Sequence, residues 1–235
     1  MARPVAVLLD VGGVFLLPLH DKILGAFSRG GFTPPVEVLD RAHYAGASRF
    51  AFNGGAELDW PAQWYAYLDA YITECGTPDE LRSDVHDHLD SEFADAALWY
   101  REFPGARAGV RAIADTGVRI GIISNADGLI AQRLADLELV QVGPGVGVNV
   151  ECVIDSGVVG VSKPDPRIFH LALEAMSVAP ADAWYVGDMP AIDVTGARNA
   201  GLRPVVMDPF DMHLDADYDR TGSLEELAQT IVVDD

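Results

Sequence analysis

Four places in this chain carry side chains that could do chemistry together. Asp10 follows the apolar run Val5-Ala6-Val7-Leu8-Leu9, and Ser124-Asn125 follows Val118 to Ile123. Asp188 follows Ala183 to Val186 and Gly187, with Asp193 five residues further on. Lys163 stands in a loop with Pro164 and Pro166, which restrain its shape. A carboxylate can attack as a nucleophile or serve as a hard oxygen ligand for Mg²⁺. A Ser hydroxyl and the N–H groups opening a helix can hold an anion, and a lysine supplies positive charge. Each residue also has a plainer use: Asp, Ser and Asn cap turns and helices, a helical Asp complements the dipole, and loop lysines are solvated. What separates the two uses is whether folding gathers the four places.

The elements that must position them are legible as periodicity. A continuous apolar run such as Val5 to Leu9 suits a strand buried on both faces, as in a parallel sheet. After Pro104-Gly105 strand and helix patterns alternate. Helices are expected at Ala106 to Asp115, Leu129 to Leu137, Pro166 to Met176, Ile192 to Ala200 and Ser223 to Ile231, the last opened by Ser223 and Glu226 as a capping box. Strands are expected at Val118 to Ile123, Val150 to Ile154, Ala183 to Val186 and Pro204 to Met207. Such alternation predicts an α/β fold, a doubly wound Rossmann-like parallel sheet with right-handed crossovers. In that topology ligands bind at the carboxyl ends of the strands, where all four polar places fall.

The segment from about His20 to Phe103 breaks the alternation. Trp60, Trp64, Tyr65, Leu68, Tyr71 and Ile72 recur near helical spacing, between punctuation at Gly30-Gly31, Pro34-Pro35, Asn53-Gly54-Gly55 and Gly76-Thr77-Pro78. It reads as roughly four helices with little or no strand. The expected organisation is therefore a core of residues 1–18 and 101–235 with a helical cap domain, residues 19–100, inserted after the first strand. The glycine-rich stretch Gly143 to Gly147 reads as a short loop and does not follow the dinucleotide-binding pattern.

Composition narrows the partners. Lys and Arg total 16 against 36 Asp and Glu, giving a net charge of -20 over 235 residues. Such a surface repels nucleic acid and anionic lipid, so neither is an expected partner. A polyanionic substrate must then meet a local positive site. Cys75 and Cys152 have neither disulfide nor zinc spacing and read as packing thiols in a reducing compartment. The apolar N-terminal stretch lacks a basic leader and a small-residue cleavage site, and no stretch is long enough to span a bilayer. A cytoplasmic location is the expectation.

Four motifs, in order, resemble those of the haloacid dehalogenase superfamily. They are Leu8-Leu9-Asp10-Val11-Gly12-Gly13-Val14, Gly121-Ile122-Ile123-Ser124-Asn125, Ser162-Lys163-Pro164-Asp165-Pro166-Arg167-Ile168-Phe169, and Val186-Gly187-Asp188-Met189-Pro190-Ala191-Ile192-Asp193-Val194-Thr195-Gly196-Ala197. The helical insert is similar to the family's small helical cap. The resemblance implies a Mg²⁺-dependent phosphatase acting on a small phosphorylated metabolite. Asp10 would form an aspartyl-phosphate that water cleaves. Asp10, Asp188, Asp193 and the backbone carbonyl of Gly12 would hold the cation. Ser124 and the backbone N–H of Asn125, with the helix that follows, would bind phosphate, and Lys163 would lie beside Asp10 and the phosphate.

The chain departs from the family's phosphatase pattern at Gly12, where most members carry a second Asp that protonates the leaving group. General acid–base help is worth roughly 10²–10⁴-fold in rate. Three readings accommodate the loss: a substrate with a good leaving group such as a sugar-1-phosphate, a substitute such as His20, or a phosphometabolite-binding protein of low activity. The metal-independent 2-haloacid dehalogenases also lack this Asp. The pair Asp188 and Asp193 ranks them below phosphatase, because unneeded carboxylates beside Asp10 would repel it. Arg41, Arg49, Asn53, Trp60 and Trp64 are the cap residues most suited to choosing a substrate, and cap closure would exclude water.

Overall fold

The computed structural model describes residues 3–50 and 59–233. The chain divides into two compact units, residues 1–15 with 102–235, and residues 16–101. Strand β1 (Ala6–Leu9) opens the first unit. The second unit holds β2 (Leu16–Pro18), α1 (His20–Arg29), α2 (Leu39–Ala47), α3 (Trp60–Glu74), α4 (Arg82–Phe93) and β3 (Trp99–Glu102), whose last residue belongs to the first unit. The first unit resumes with α5 (Ala106–Asp115), β4 (Arg119–Ser124), α6 (Ile130–Asp136), β5 (Val140–Val142), β6 (Val148–Val150), β7 (Cys152–Asp155) and α7 (Ser156–Val159). It closes with α8 (Pro166–Met176), β8 (Ala183–Gly187), α9 (Pro190–Asn199), β9 (Arg203–Met207), β10 (Asp219–Thr221) and α10 (Leu224–Val233).

The main sheet of the first unit has six strands in the order β10-β9-β8-β1-β4-β7. Its pairs run parallel, with Leu9 opposite Ile122 on one side and Val186 on the other. Both neighbours hydrogen-bond β1, and all four of its residues are buried, so its run is uniformly apolar rather than alternating. From β1 the chain steps outward through β4 to β7, then returns past β1 to β8, β9 and β10. Strand order therefore reverses between β1 and β8, which places Asp10 and Asp188 on the two lips of the switch point.

Packing fixes that arrangement. Leu8, Ile123, Phe169, Leu173, Met176 and Tyr185 belong to one buried cluster between α8 and the sheet. Asp165 caps α8 by accepting the Arg167 N–H at 2.9 Å, and Pro166 supplies a first-turn φ at no hydrogen-bond cost. At α10, Ser223 Oγ accepts the Glu226 N–H at 3.1 Å, while the Glu226 carboxylate accepts the Gly222 N–H at 2.6 Å. The expected capping box is thus displaced by one residue at its returning half.

Differences from the expected elements fall where segments are short. β2 and β3 form a two-stranded sheet flanking the helices of the second unit, in runs too brief to register an alternation. The single strand expected at Val150 to Ile154 is two: β6 ends at Val150, and β7 starts at Cys152. Between them the Glu151 N–H turns to Ile120 O at 2.8 Å. Gly143 to Gly147 joins β5 to β6 as a loop inside a small sheet. Among the described residues, no helix is long and apolar enough to cross a membrane.

Candidate active site

Folding brings Asp10, Asp188 and Asp193 together. Each offers a carboxylate oxygen, and these oxygens lie within 4.8 Å of one another, with all three residues buried. Asp10 leaves β1 with its N–H bound to Val186 O at 2.8 Å, and its Oδ1 accepts the Val11 N–H at 2.7 Å. Asp188 follows β8 directly. Asp193 lies on the first turn of α9, where its Oδ2 accepts the Met189 N–H at 2.8 Å.

Two glycines make room for this crowding. Gly13 has φ +65°, a left-handed value, and a methyl group there would overlap the Asp188 carboxylate. A methyl group on Gly187 would overlap the carboxylate of Asp193.

Lys163 is buried and faces the cluster. Its Nζ lies 2.6 Å from Asp10 Oδ2 and 2.9 Å from Asp193 Oδ1. It also donates to the Tyr185 hydroxyl at 2.7 Å. Burial alone would lower the Lys163 pKa, but Asp10 and Asp193 more than reverse this and hold it above its ordinary value. Burial drives Asp10 the other way, from 3.8 up to about 7; Lys163 opposes the rise, and Asp193 and Asp188 add to it. Three buried carboxylates share this space with the Lys163 ammonium. A divalent cation with a preference for oxygen ligands balances that set, so the residues present fit Mg²⁺. Asp193 accepts hydrogen bonds on both oxygens, as Asp10 does from the Val11 N–H and Lys163.

Ser124 is buried at the end of β4, and the register of β1 with β4 sets it level with Val11. The Asn125 side chain has a different task. Its Nδ2 donates to Lys163 O at 3.0 Å and its Oδ1 accepts the Lys163 N–H at 2.8 Å. This brace ties the Ser124-Asn125 turn to the loop that carries Lys163, leaving the backbone of Asn125 as the part suited to an anion. Of the helix expected to aim at the same place, α6, the Ile130 N–H is taken by Asp155 Oδ2 at 3.1 Å. Asp155 ends β7 and also accepts the Gly157 N–H at 2.9 Å, so its carboxylate serves turns.

Gly12 is half-buried beside Asp10 and carries no acid. His20, the substitute considered above, belongs to the second unit and is held by Asp40 at 2.8 Å. Asp40 is also bound by Arg101. Of the other second-unit candidates, Arg41 pairs with Glu74 at 2.5 Å. Trp64 stacks on Tyr67 at 4.9 Å and donates to Asp90 at 2.8 Å. Trp60 packs against Phe50 at 6.1 Å, and Arg49 is exposed. Asn53 lies outside the described residues.

Tyr185 was missed by sequence reasoning. Its hydroxyl accepts from Lys163 and donates to Asp193 Oδ1 at 3.0 Å. Burial, with Asp10 and Asp193, pushes the phenol well above its usual range, so it remains a donor. The available signal was a tyrosine in the middle of a strand buried on both faces, where a hydroxyl must find a partner.

The chain is similar to known proteins along most of its length. The family model of haloacid dehalogenase-like hydrolases matches residues 6–201. A phosphoserine phosphatase from Thermus thermophilus is 38% identical over 238 residues, covering 94% of this chain and 90% of the relative. A haloacid dehalogenase-like hydrolase domain-containing protein 3 from Bos taurus is 29% identical over 180 residues, covering 74% and 68%. Among solved structures, a hydrolase of the same superfamily from Ehrlichia chaffeensis superposes with a TM-score of 0.60 at 15% identity, covering 99% of this chain and 98% of that one. With its motifs in order and its acids gathered at the switch point of the sheet, the chain belongs to the haloacid dehalogenase-like hydrolases.

Proposed function

We propose that this protein is a Mg²⁺-dependent phosphoric monoester hydrolase that cleaves a small phosphorylated metabolite through an aspartyl-phosphate at Asp10. The observation that carries the reading is the buried cluster of Asp10, Asp188 and Asp193 facing Lys163. The similarity to a phosphoserine phosphatase along nearly all of both chains supports it.

Asp10, Asp188, Asp193 and the Gly12 carbonyl would hold the cation, which when bound neutralises charge on the phosphoryl group. An Asp10 carboxylate oxygen attacks phosphorus, and the bond from phosphorus to the substrate oxygen breaks. Lys163 keeps Asp10 ionised and oriented, since an adjacent ammonium favours the carboxylate. Ser124 Oγ and the Asn125 N–H hold a non-bridging phosphate oxygen. Water then attacks the aspartyl-phosphate at phosphorus, releasing inorganic phosphate and restoring the Asp10 carboxylate. With Gly12 in place of an acid, the departing oxygen takes its proton from solvent. This favours substrates whose leaving group is already a weak base, such as sugar-1-phosphates.

The test is phosphate release from a panel holding sugar-1-phosphates and phosphoserine, with Mg²⁺ and with chelator. Turnover that needs Mg²⁺ and falls at least about a thousandfold in Asp10→Asn fits the proposal. Chelator-insensitive halide release from a 2-haloacid, with no phosphate release, would replace it with the dehalogenase reading. That reading ranks second because it gives two of the three buried acids nothing to do.

A further inference from the structure

Tyr185 lies inside β8, fully buried, with its ring against the Phe169 ring at 4.8 Å and 81°. Packing asks only for a ring at this position, and phenylalanine would supply one. A buried hydroxyl costs stability unless it is hydrogen-bonded, and here it is bonded on both sides. It accepts Lys163 Nζ at 2.7 Å and donates to Asp193 Oδ1 at 3.0 Å. Lys163 has three N–H donors. Asp10 at 2.6 Å, Asp193 at 2.9 Å and Tyr185 take one each. The Met189 N–H fixes the other oxygen of Asp193 at 2.8 Å.

We propose that Tyr185 is a positioning residue: its hydroxyl locks the Lys163 ammonium between Asp10 and Asp193, and holds the Asp193 carboxylate in the orientation that serves a cation shared with Asp10 and Asp188. The inference rests on the phosphatase reading only in taking the acid cluster for a cation site. Without the hydroxyl, Lys163 keeps both ion pairs but loses the third contact that stops it rotating. Asp193 Oδ1 then keeps one donor in place of two. Groups that orient metal ligands without touching the metal typically alter affinity by about 10–100-fold.

The experiment measures Mn²⁺ affinity by electron paramagnetic resonance on the full chain, for wild type, Tyr185→Phe, Asp193→Asn and the double variant. Tyr185→Phe is expected to weaken Mn²⁺ binding about tenfold or more. It should lower kcat for p-nitrophenyl phosphate with KM within about threefold. Added to Asp193→Asn, it should change affinity by less than about twofold, because the two act through one carboxylate. Tyr185→Leu, which also lacks the hydroxyl, repeats the measurement should the first variant fail to melt cooperatively. Mn²⁺ affinity unchanged in either folded variant, or a full Tyr185→Phe effect on top of Asp193→Asn, overturns the proposal. The two readings fail separately. Weakened Mn²⁺ binding in a protein that hydrolyses no phosphomonoester keeps this inference and removes the phosphatase. Undiminished turnover and affinity in Tyr185→Phe does the reverse.

Discussion

Replacing Lys163 with methionine probes the charge balance of the site directly. Methionine keeps most of the buried stem and deletes the ammonium. Lys163 is 2% exposed and is paired at 2.6 Å with Asp10 and at 2.9 Å with Asp193. Removing one partner of a buried ion pair costs about 3–5 kcal/mol, because the remaining charge is stranded. Here two carboxylates are stranded at once beside Asp188. Proton uptake by Asp10 relieves part of the cost, since burial already favours its neutral form. The expected loss in chelator at neutral pH is therefore about 3–5 kcal/mol, not the sum of two such penalties. Urea unfolding followed by circular dichroism reads it as a lower midpoint at unchanged m-value. Saturating Mg²⁺ should restore more stability to Lys163→Met than it adds to wild type, because the cation would then supply charge balance that Lys163 gives the wild type. In an Asp10→Asn background the same substitution should cost at least about 2 kcal/mol less. A loss below about 1 kcal/mol in chelator, or equal costs in the two backgrounds, would show that Lys163 does not balance buried acids.

Further outcomes follow from the same geometry. In chelator, Asp10 at about 7 folded against 3.8 unfolded binds its proton more tightly in the native state. Its contribution to stability is full below an unfolded value of about 4 and lost as the pH climbs to about 7, up to about 4 kcal/mol. The difference in urea midpoint between wild type and Asp10→Asn should shift in that direction over that window, and a flat difference would contradict the burial argument. Gly13→Ala combines a left-handed φ with overlap on Asp188, and should cost roughly 2–5 kcal/mol and weaken Mg²⁺ binding measured by calorimetry. Burial pushes the thiol of Cys75 up to about 12 and that of Cys152 up to about 11. Iodoacetamide at about pH 8 should label both at least about a hundredfold more slowly in native than in unfolded protein.

The sheet was readable because its strands are buried on both faces, which leaves uninterrupted runs such as Val5 to Leu9 that end abruptly at polar residues. Convergence at the switch point followed from topology alone, since parallel strands deliver their carboxyl ends to one edge. What sequence did not yield was orientation. The Asn125 side chain, for which spacing gave no task, braces the Lys163 backbone. Asp155, a strand-terminal acid given no role, takes the Ile130 N–H at the start of α6, and its spacing announces no such task. Tyr185 was hidden because a tyrosine in an apolar run counts as core; only its hydroxyl partners reveal its position against Lys163 and Asp193. The strands β2, β3, β5 and β6 run three or four residues each, too few for a period of two to declare itself.

In the proposed reaction Asp10 becomes covalently attached to the phosphoryl group. Acid quenching of the protein during turnover with Mg²⁺ and a phosphomonoester, followed by peptide mass spectrometry, tests it at the atom concerned. A phosphoryl adduct on Asp10, absent in chelator and absent from Asp10→Asn, is the predicted result. Steady turnover with no adduct on that peptide, or undiminished turnover by Asp10→Asn, would contradict the account.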